Sequence, residues 1–281
     1  MAVNKIEVQN LSVHYREGNQ CFTAIRDISF SVRPGEFVSF AGSSGCGKST
    51  LLNVLGGLLA PSEGSVRIDG VPVSGPGRDR GFVFQHYSLF PWMTARNNVA
   101  FGIKQAKKEL SRKERLQLAD RFLEKAGLEN FRGAYPFRLS GGMKQRAAIA
   151  RTLAMDTEIM LMDEPFGAVD AKNRALLQEL LLGLWEGGIE DGGLVYPEQE
   201  PARVFRRERK TVVFVTHDID EAIFMSDRII MFSGSPGRIL RELEIPFSRP
   251  RSRAVLAQSP EYTRLRNELL SLFFNDPGCG I

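Results

Sequence analysis

The chain has 281 residues, 43% hydrophobic and 25% charged, with a net charge of +4 and three scattered cysteines. This composition excludes disordered and collagen-like chains and allows a buried core in one large or two small domains. It has no CxxC pair, no signal-peptide core and no apolar run near the roughly 20 residues that cross a bilayer, so we expect a cytoplasmic chain without disulfides, zinc or membrane spans.

The first elements along the chain are predicted to be strands. Apolar residues recur with near-alternating spacing at Ile6, Val8, Leu11, Val13, Ile25, Ile28, Phe30 and Val32. Such alternation is typical of half-buried strands. Tyr15 follows the first run, where its ring either stacks on an adenine base or is simply half exposed at a strand end.

A glycine-rich segment follows the apolar run of residues 37–41 and precedes a helical run predicted at residues 50–59. The segment consists of Gly42, Ser43, Ser44, Gly45, Cys46, Gly47, Lys48 and Ser49. A glycine, four free residues and Gly-Lys-Ser form the phosphate-loop pattern of nucleoside triphosphatases. Loop N–H groups and the helix N-terminus would then bind phosphates, Lys48 would reach the β- and γ-phosphates, and the Ser49 hydroxyl would ligate Mg²⁺. A dinucleotide-binding turn fits less well, because Thr50 stands where a third glycine is needed.

Three later apolar runs each end in polar side chains. The residues at these ends are Gln85, the pair Asp163 and Glu164, and His217. The carboxyl ends of parallel strands meet at one edge of a sheet, so we expect these side chains near the phosphate loop. Asp163 would hold Mg²⁺ through water, and Glu164 would act as general base. Gln85 would contact Mg²⁺ or the attacking water, and His217 the γ-phosphate.

Between the strands that end at Gln85 and Asp163, the sequence is helical in character. Ser111 and Glu114 form a capping-box pattern at the start of one predicted helix. Ser140, Gly141 and Gly142 precede another helix, and a serine with two glycines at a helix N-terminus is a second anion-binding surface. As a bare helix cap the same tripeptide is common. A further helix is predicted at residues 176–185, after Asp170 and the preceding turn.

The order of these motifs resembles that of the ATP-binding-cassette ATPases over nearly the whole chain. The resemblance rests on residues 42–49, Gln85, residues 139–145, residues 160–164, Asp170 and His217. It implies an α/β fold with a RecA-like P-loop NTPase core, an antiparallel β subdomain and an inserted α-helical subdomain. Residues 1–246 would form the nucleotide-binding domain, with the helical subdomain at about residues 86–154. Residues 247–281 would be a C-terminal helical extension.

The same resemblance implies an ATPase that uses ATP and Mg²⁺ and works as a head-to-tail dimer. Each ATP would lie between the phosphate loop of one subunit and Ser140, Gly141 and Gly142 of the other. The second ATP-binding subunit would be another copy or a paralogue. Asp170 would join the two sites, and Thr50 and Gln145 would complete the nucleotide-binding set.

A transporter ATPase of this kind would be peripheral, at the cytoplasmic face of the inner (plasma) membrane. It would drive separate transmembrane permease subunits, which the resemblance places beside Gln85, Phe90, Trp92 and Met93. A periplasmic or extracellular substrate-binding protein would be an indirect partner. We expect no nucleic-acid partner.

Within the family, residues 85–94, 141–146, 163–168 and 259–262 are most similar to importers of nitrate, sulfonate, taurine and bicarbonate. Residues 51–58 also resemble lipoprotein-export ATPases, so another transport system is an alternative. A non-transport ATPase acting on nucleic acid or ribosomes is disfavoured by the single phosphate loop and the lack of sustained heptads. A non-hydrolysing nucleotide sensor is disfavoured by Glu164 and His217.

Three features depart from the family pattern or stay open. Val169 stands where leucine is usual, and residues 186–209 form an insertion rich in Gly, Pro and Glu. We favour a solvated insertion over a regulatory or partner-binding element. The cluster Arg249, Arg251 and Arg253 has three possible roles at this level: contact with anionic lipid, contact with a partner, or none.

Overall fold

The computed structural model describes residues 4–18, 20–85, 88–167, 169–186 and 209–274. The chain divides into two compact units. Unit 1 spans Met1–Gly77, Leu161–Glu164 and Thr211–Ile281, and unit 2 spans Arg78–Met160 and Pro165–Lys210. The predicted insertion falls almost wholly on residues 187–208, which lie outside the described residues. His86, Tyr87 and Ala168 of the predicted motif segments lie outside them as well.

The first sheet of unit 1 is antiparallel and comes from the start of the chain. Its strands are β1 (Ile6–Glu17), β2 (Gln20–Val32), β4 (Glu63–Ile68) and β5 (Val71–Pro72), in the order β2-β1-β4-β5. Alternate residues of β1 and β2, such as Ile6, Val8 and Ile28, are buried, which is the pattern that predicted these strands. The strand prediction for this part of the chain is therefore confirmed.

The second sheet of unit 1 is mainly parallel and carries the phosphate loop. Its strands are β3 (Phe37–Ala41), β7 (Ile159–Asp163), β8 (Thr211–Thr216), β9 (Arg228–Phe232) and β10 (Ile239–Glu244), in the order β10-β9-β3-β8-β7. β3 pairs in parallel with both β8 and β9, and β10 pairs antiparallel with β9. Every residue of β3 and β8 is buried, as expected for central parallel strands.

Four helices belong to unit 1. They are α1 (Lys48–Leu55), α6 (Ile219–Met225), α7 (Arg253–Ala257) and α8 (Pro260–Phe274). α1 was expected to run to residue 59, but it ends at Leu55 because Gly56 caps it and Gly57 adopts a left-handed φ of 72°. In the C-terminal segment, residues 249–274, the side chains of Leu265 and Leu269 on α8 pack into one apolar cluster with Ile219 and Ile223 of α6.

Unit 2 is mostly helical. It contains β6 (Arg80–Val83), which neighbours the start of β7, and the helices α2 (Ala95–Ala106), α3 (Arg112–Lys125), α4 (Gly141–Ala154) and α5 (Ala171–Glu186). Two short 3₁₀ turns lie at Glu129–Phe131 and Pro136–Arg138. The predicted capping box of α3 is confirmed, since Ser111 and Glu114 each accept a bond from the other's backbone N–H. α5 begins directly after Asp170, whose side chain caps it by accepting from the Asn173 N–H.

The cluster Arg249, Arg251 and Arg253 is bound within unit 1. Arg249 pairs with Asp227 at 2.9 Å, and the Arg253 guanidinium lies 3.9 Å from the centroid of the Phe224 ring. Arg251 donates to main-chain carbonyls at the end of α6. The structure therefore shows a role that the sequence did not suggest, which is to make contacts within the chain. Among the described residues, no helix is both long enough and apolar enough to cross a membrane.

Candidate nucleotide-binding and hydrolysis site

The phosphate loop joins β3 to α1 and depends on glycine at the position just before the helix. Gly47 has a φ of 88°, a left-handed conformation that residues with a Cβ rarely adopt. A Cβ there would also lie 2.3 Å from Ile25 Cγ2 and 2.9 Å from the Ala24 carbonyl oxygen. The loop is thus packed against β2 so closely that only a glycine fits, and its N–H groups stay unobstructed for an anion.

Lys48 is buried and folded into its own loop. Its Nζ donates to the carbonyl oxygens of Gly42 at 2.8 Å and Ser43 at 2.7 Å, and it lies 3.3 Å from Cys46 Sγ. Burial raises the pKa of the Cys46 thiol, although Lys48 acts in the opposite direction. The thiol is therefore a packing group at neutral pH, and only the main chain of Cys46 is available to a phosphate.

Ser49 and Asp163 meet at the mouth of the loop. The Ser49 hydroxyl donates to Asp163 Oδ1 at 2.8 Å. Burial raises the pKa of Asp163 and the nearby charge of Glu164 raises it further, against the hydrogen bond from Ser49 and the charge of Lys48. A carboxylate in such surroundings gains from a nearby cation.

The Ser49–Asp163 pair fits the ligand chemistry of Mg²⁺. Hydroxyl and carboxylate oxygens are ligands that this ion accepts, and it usually takes its remaining ligands from water and substrate phosphates. The described residues contain no cluster of three or more His, Cys, Asp or Glu side chains able to hold a metal.

Glu164 and His217 form a second pair at the ends of β7 and β8. Glu164 Oε2 lies 3.2 Å from His217 Nδ1. The Glu164 main chain has a φ of 42°, and its N–H donates to the Val215 carbonyl oxygen at 3.1 Å. A left-handed glutamate held by a neighbouring strand has its side chain fixed relative to the sheet. Half of the His217 side chain stays exposed and can meet a ligand.

Tyr15 also belongs to unit 1 and lies close to α1. Its hydroxyl is 3.4 Å from Thr50 Oγ1, and its ring is 42% exposed. Unit 1 therefore brings together most of the predicted site: Tyr15, Thr50, the phosphate loop, Asp163, Glu164 and His217.

The remaining predicted site residues lie in unit 2. Gln85 is exposed after β6, and Ser140 is exposed as the N-cap of α4, where its hydroxyl accepts from Met143 N–H. Asp170 accepts bonds from the Asn173 N–H at 3.1 Å and the Asn173 amide at 2.6 Å. Gly142 has room around it, since an added Cβ would meet only Val169 and Asn173 at ordinary contact distances.

Gln145 does not lie on the exposed surface that begins α4. Its side chain is 1% exposed, and within the part of the chain that the structure describes neither amide atom has a hydrogen-bond partner. Direct contact between this side chain and a nucleotide does not fit such burial. Gln145 lies on the inward face of α4.

Comparison with known proteins places this site in a family. A family model described as ABC transporter matches residues 25–167. The nitrate import ATP-binding protein NrtD of Synechococcus elongatus is 45% identical over 90% of this chain and 85% of its own length. The chain belongs to the ABC transporter family.

A further curated relative and a solved structure agree with the assignment of this chain to the ABC transporter family. The bicarbonate transport ATP-binding protein CmpC of Synechococcus elongatus is 40% identical over 94% of this chain and 37% of its own length. A dimeric structure of a post-hydrolysis state of the ATP-binding cassette MJ0796, bound to ADP and Pi, is 35% identical with a TM-score of 0.72. It covers 86% of this chain and 100% of its own. The predicted family, P-loop fold and ATPase class are confirmed.

The sequence did not reveal what supports His217 in this ABC ATPase. The Thr216 hydroxyl donates to the Glu221 carboxylate, and Asp218 Oδ1 accepts from the Glu221 N–H at 3.0 Å. An Asp three residues before a Glu is a recognisable helix-start pattern, so this part of the support had a sequence signal. The arginine contacts at the other end of α6 come from residues about 25 positions later and had none.

Proposed function

We propose that this ABC ATPase energises the uptake of a small anion of the nitrate or bicarbonate type through separate permease subunits. The observation that carries the ATPase half is the meeting of two pairs in unit 1, Ser49 with Asp163 and Glu164 with His217. The importer half is supported by relatives named for nitrate import and bicarbonate transport.

In the proposed reaction, loop N–H groups and the N-terminus of α1 bind the triphosphate. Lys48 exchanges its carbonyl contacts with Gly42 and Ser43 for oxygens of the β- and γ-phosphates. Tyr15 stacks on the adenine ring, which its exposure and its position beside Thr50 allow. The loop thus holds the substrate without any change of fold.

Glu164 is proposed as the general base and His217 as its neighbour at the γ-phosphate. The oxygen of the attacking water bonds to the γ-phosphorus while its proton passes to the Glu164 carboxylate, and the bond between the β–γ bridging oxygen and the γ-phosphorus breaks to leave ADP and phosphate. His217 lies within 3.2 Å of that carboxylate and can orient it. Gln85 is proposed as a further contact to the water.

Mg²⁺ is proposed as the cofactor, held by Ser49 and, through water, by Asp163. When bound, it would neutralise charge that develops on the phosphate oxygens. The residues themselves supply one hydroxyl and one carboxylate, and the rest of the coordination would come from ATP and water. Burial raises the pKa of Asp163, and a nearby cation would offset that cost of charging the carboxylate.

A second ATP-binding subunit is proposed to complete each site. Ser140 is exposed and Gly141 and Gly142 are half buried at the N-terminus of α4 in unit 2, a position suited to a phosphate. In the proposed dimer they face the ATP bound by the partner, and Asp170 lies between the two sites. Related cassettes have been solved as dimers. The partner is a second copy or a paralogue.

The proposed permease contact is an aromatic surface of unit 2, made of Phe90, Trp92, Phe101, Tyr135 and Phe137. Trp92 and Phe137 are 69% and 73% exposed. The Phe90 ring lies 5.5 Å from Trp92 and 4.9 Å from Phe101, while Tyr135 and Phe137 stack at 5.9 Å. Phe90 and Met93 are half buried, whereas Trp92 is exposed. Exposed apolar residues of this density suit the apolar face of a partner helix.

This assignment makes the chain a peripheral protein at the cytoplasmic face of the plasma membrane. Its substrate-binding protein acts only through the permease. The test is to purify the tagged chain from gently solubilised membranes, identify the co-purifying permease, and measure ATP hydrolysis with the binding protein and each anion. Stimulation by nitrate, bicarbonate or a sulfonate supports the proposal.

A matched pair of variants sharpens that experiment. Trp92→Ala should release the permease, whereas Val255→Ala, which trims another exposed apolar residue on α7, should not. Recovery of no membrane protein by the unchanged chain, with ATPase activity intact, would refute the transport half and keep the enzyme half.

A further inference from the structure

The C-terminal segment, residues 249–274, contacts a short helix that begins two residues after His217. We propose that this segment positions His217 for hydrolysis, with α6 as the connecting element and Tyr262 and Arg266 as the positioning residues. The inference rests on the proposed role of His217 at the γ-phosphate. It assigns the segment a part in turnover that differs from nucleotide binding.

The first step is that α6 fixes the chain on both sides of His217. The Thr216 hydroxyl donates to the Glu221 carboxylate, and it accepts from the Asp218 N–H at 3.0 Å. The Asp218 side chain in turn caps α6 by accepting from the Glu221 N–H. Since Thr216 and Asp218 are both tied to the first turn of α6, a tilt of that turn moves His217.

The second step is that the far end of α6 is held by arginines of the C-terminal segment. Arg251 Nη1 donates to the carbonyl oxygens of Ile223 at 2.8 Å, Phe224 at 3.1 Å and Ser226 at 2.6 Å. Arg249 Nη2 donates to the Met225 carbonyl oxygen at 2.6 Å. These are carbonyls that a helix C-terminus leaves without intrahelical partners, and cations there also suit the helix dipole.

The third step is a charged contact to the first turn of α6. The Asp220 carboxylate accepts from Tyr262 Oη at 2.6 Å and from Arg266 at 2.6 Å and 3.1 Å, so α8 is fixed to α6 by three hydrogen bonds. Burial and the Asp220 charge raise the pKa of Tyr262, which keeps its hydroxyl a donor. Leu265 and Leu269 pack beside these bonds.

The length of α6 explains why external contacts decide its position. It has seven residues, about two turns, and a helix of that length is not stable in water without tertiary packing. Its orientation is therefore set by the sheet on one side and by the C-terminal segment on the other. Loss of the α8 contacts would let α6, and the Glu164–His217 distance, vary.

The experiment compares two changes on the same helix. Tyr262→Phe combined with Arg266→Met removes the bonds to Asp220 and keeps most of the apolar volume. Glu268→Gln removes a different ion pair of α8, which joins this helix to Arg241 of β10 at 2.9 Å rather than to α6. Both are made in the full chain and assayed well below their melting temperatures.

We expect the double variant to lose about 10-fold in kcat, less than the ~100-fold that a 1 Å misplacement of a catalytic group can cost. Its KM for ATP should stay within about two-fold, because the phosphate loop is untouched. The Cε1–H resonance of His217, assignable among three histidines, should move or broaden. Glu268→Gln should match the unchanged chain, and Arg266→Lys with Tyr262 retained should recover part of kcat.

Three outcomes overturn the inference, and His217→Gln tells the first two apart. If His217→Gln is inactive but the double variant keeps normal kcat, the positioning role alone is refuted. If His217→Gln turns over normally, the proposed role of His217 fails and the inference fails with it. Equal losses in the double variant and in Glu268→Gln would also refute it, because they would show only that α8 stabilises unit 1.

Discussion

The phosphate loop of unit 1 and the Ser140–Gly142 turn of unit 2 are both glycine-rich helix N-termini, yet the chain satisfies their polar groups differently. Lys48 is held inside its loop by two carbonyl oxygens, and Ser49 is paired with Asp163. The Ser140 hydroxyl instead accepts one capping hydrogen bond from the Met143 N–H. A Cβ added at Gly142 would make only ordinary van der Waals contacts. A loop packed this closely must hold its shape before ligand arrives, whereas an open turn depends on what docks against it.

The largest expected effect tests the chemistry on the unit 1 side. Glu164→Gln should lower kcat by about 10²–10⁴-fold, since the amide cannot accept the proton of the attacking water. ATP binding should persist, and the dimer should accumulate in its ATP-bound form by size-exclusion chromatography. Glu129→Gln, an equal change at an exposed position in unit 2, is the control. Normal turnover by Glu164→Gln would remove Glu164 from the base role.

The next test makes the same substitution on both sides of the comparison. Gly47→Ala forces a Cβ to within 2.3 Å of Ile25 Cγ2 at a left-handed φ, so we expect a loss of about 2–4 kcal/mol in unfolding free energy. Gly142→Ala should cost less than about 1 kcal/mol, the usual helical preference even favouring Ala. Its ATP-driven dimerisation should weaken about 10-fold, because a methyl group would obstruct a phosphate.

Denaturant unfolding and ATP-dependent dimerisation measure the two effects separately. An unstable Gly142→Ala would mean that the unit 2 turn is as tightly packed as the phosphate loop. A stable Gly142→Ala that dimerises normally would refute the contact with the partner's ATP.

The difference between the two sides also explains which features could be predicted from sequence. Phosphate-loop residues, the Ser111 capping box and the polar ends of β7 and β8 depend on residues a few positions apart, so their patterns are visible in one sequence. The contacts of Arg249 and Arg251 join residues about 25 positions apart, and nothing local indicates them. The apolar run that predicts α1 continues to Leu59, but the helix ends at Leu55 because Gly56 caps it and Gly57 has a left-handed φ.

Other predictions stay open for a physical reason. The sequence predicts a domain boundary between residues 246 and 247, and in the structure the segment after it packs onto α6 and shares its apolar cluster. That boundary therefore remains a prediction. The insertion at residues 186–209 has a composition that specifies no element, and its role also stays a prediction.

A smaller expected effect is that of the Asp163 carboxylate, beside the phosphate loop, on the stability of the folded chain. The pKa of Asp163 is raised by burial, so the folded chain binds this proton more tightly than the unfolded chain does. The resulting destabilisation is absent at pH below the ordinary Asp value and grows as pH rises through the raised pKa. Asp163→Asn should therefore slightly stabilise the nucleotide-free chain at pH 7 and lower its Mg²⁺-dependent turnover.

Unfolding curves at pH 3.5 and pH 7 measure that stability effect. The gain should be present at pH 7 and largely lost at pH 3.5, where both states are protonated. A gain equal at both pH values would mean that the carboxylate charge is not its cause.

The smallest expected effect concerns Gln145, on the unit 2 side. It follows Ser140 by five residues, which carries it well round α4 to the face where Ala148, Ile149 and Thr152 are also buried. The 3.6-residue period of α4 is visible in the sequence and indicates this burial, whereas the motif alone groups Gln145 with the start of the helix. A buried amide without partners among the described residues is a cost rather than a contact.

Gln145→Leu should then be neutral or stabilising, by up to about 1 kcal/mol, with KM for ATP and kcat unchanged. Asn173→Leu is the matched control, because it deletes an amide that does bond, to Asp170 at 2.6 Å, and should be destabilising. If Gln145→Leu instead raises KM while leaving the unfolding free energy alone, the side chain must reach the nucleotide in the assembled dimer. The open turn of unit 2 would then rearrange on ATP binding, and the contrast between a preformed loop and a docking-dependent turn would extend into the helix behind it.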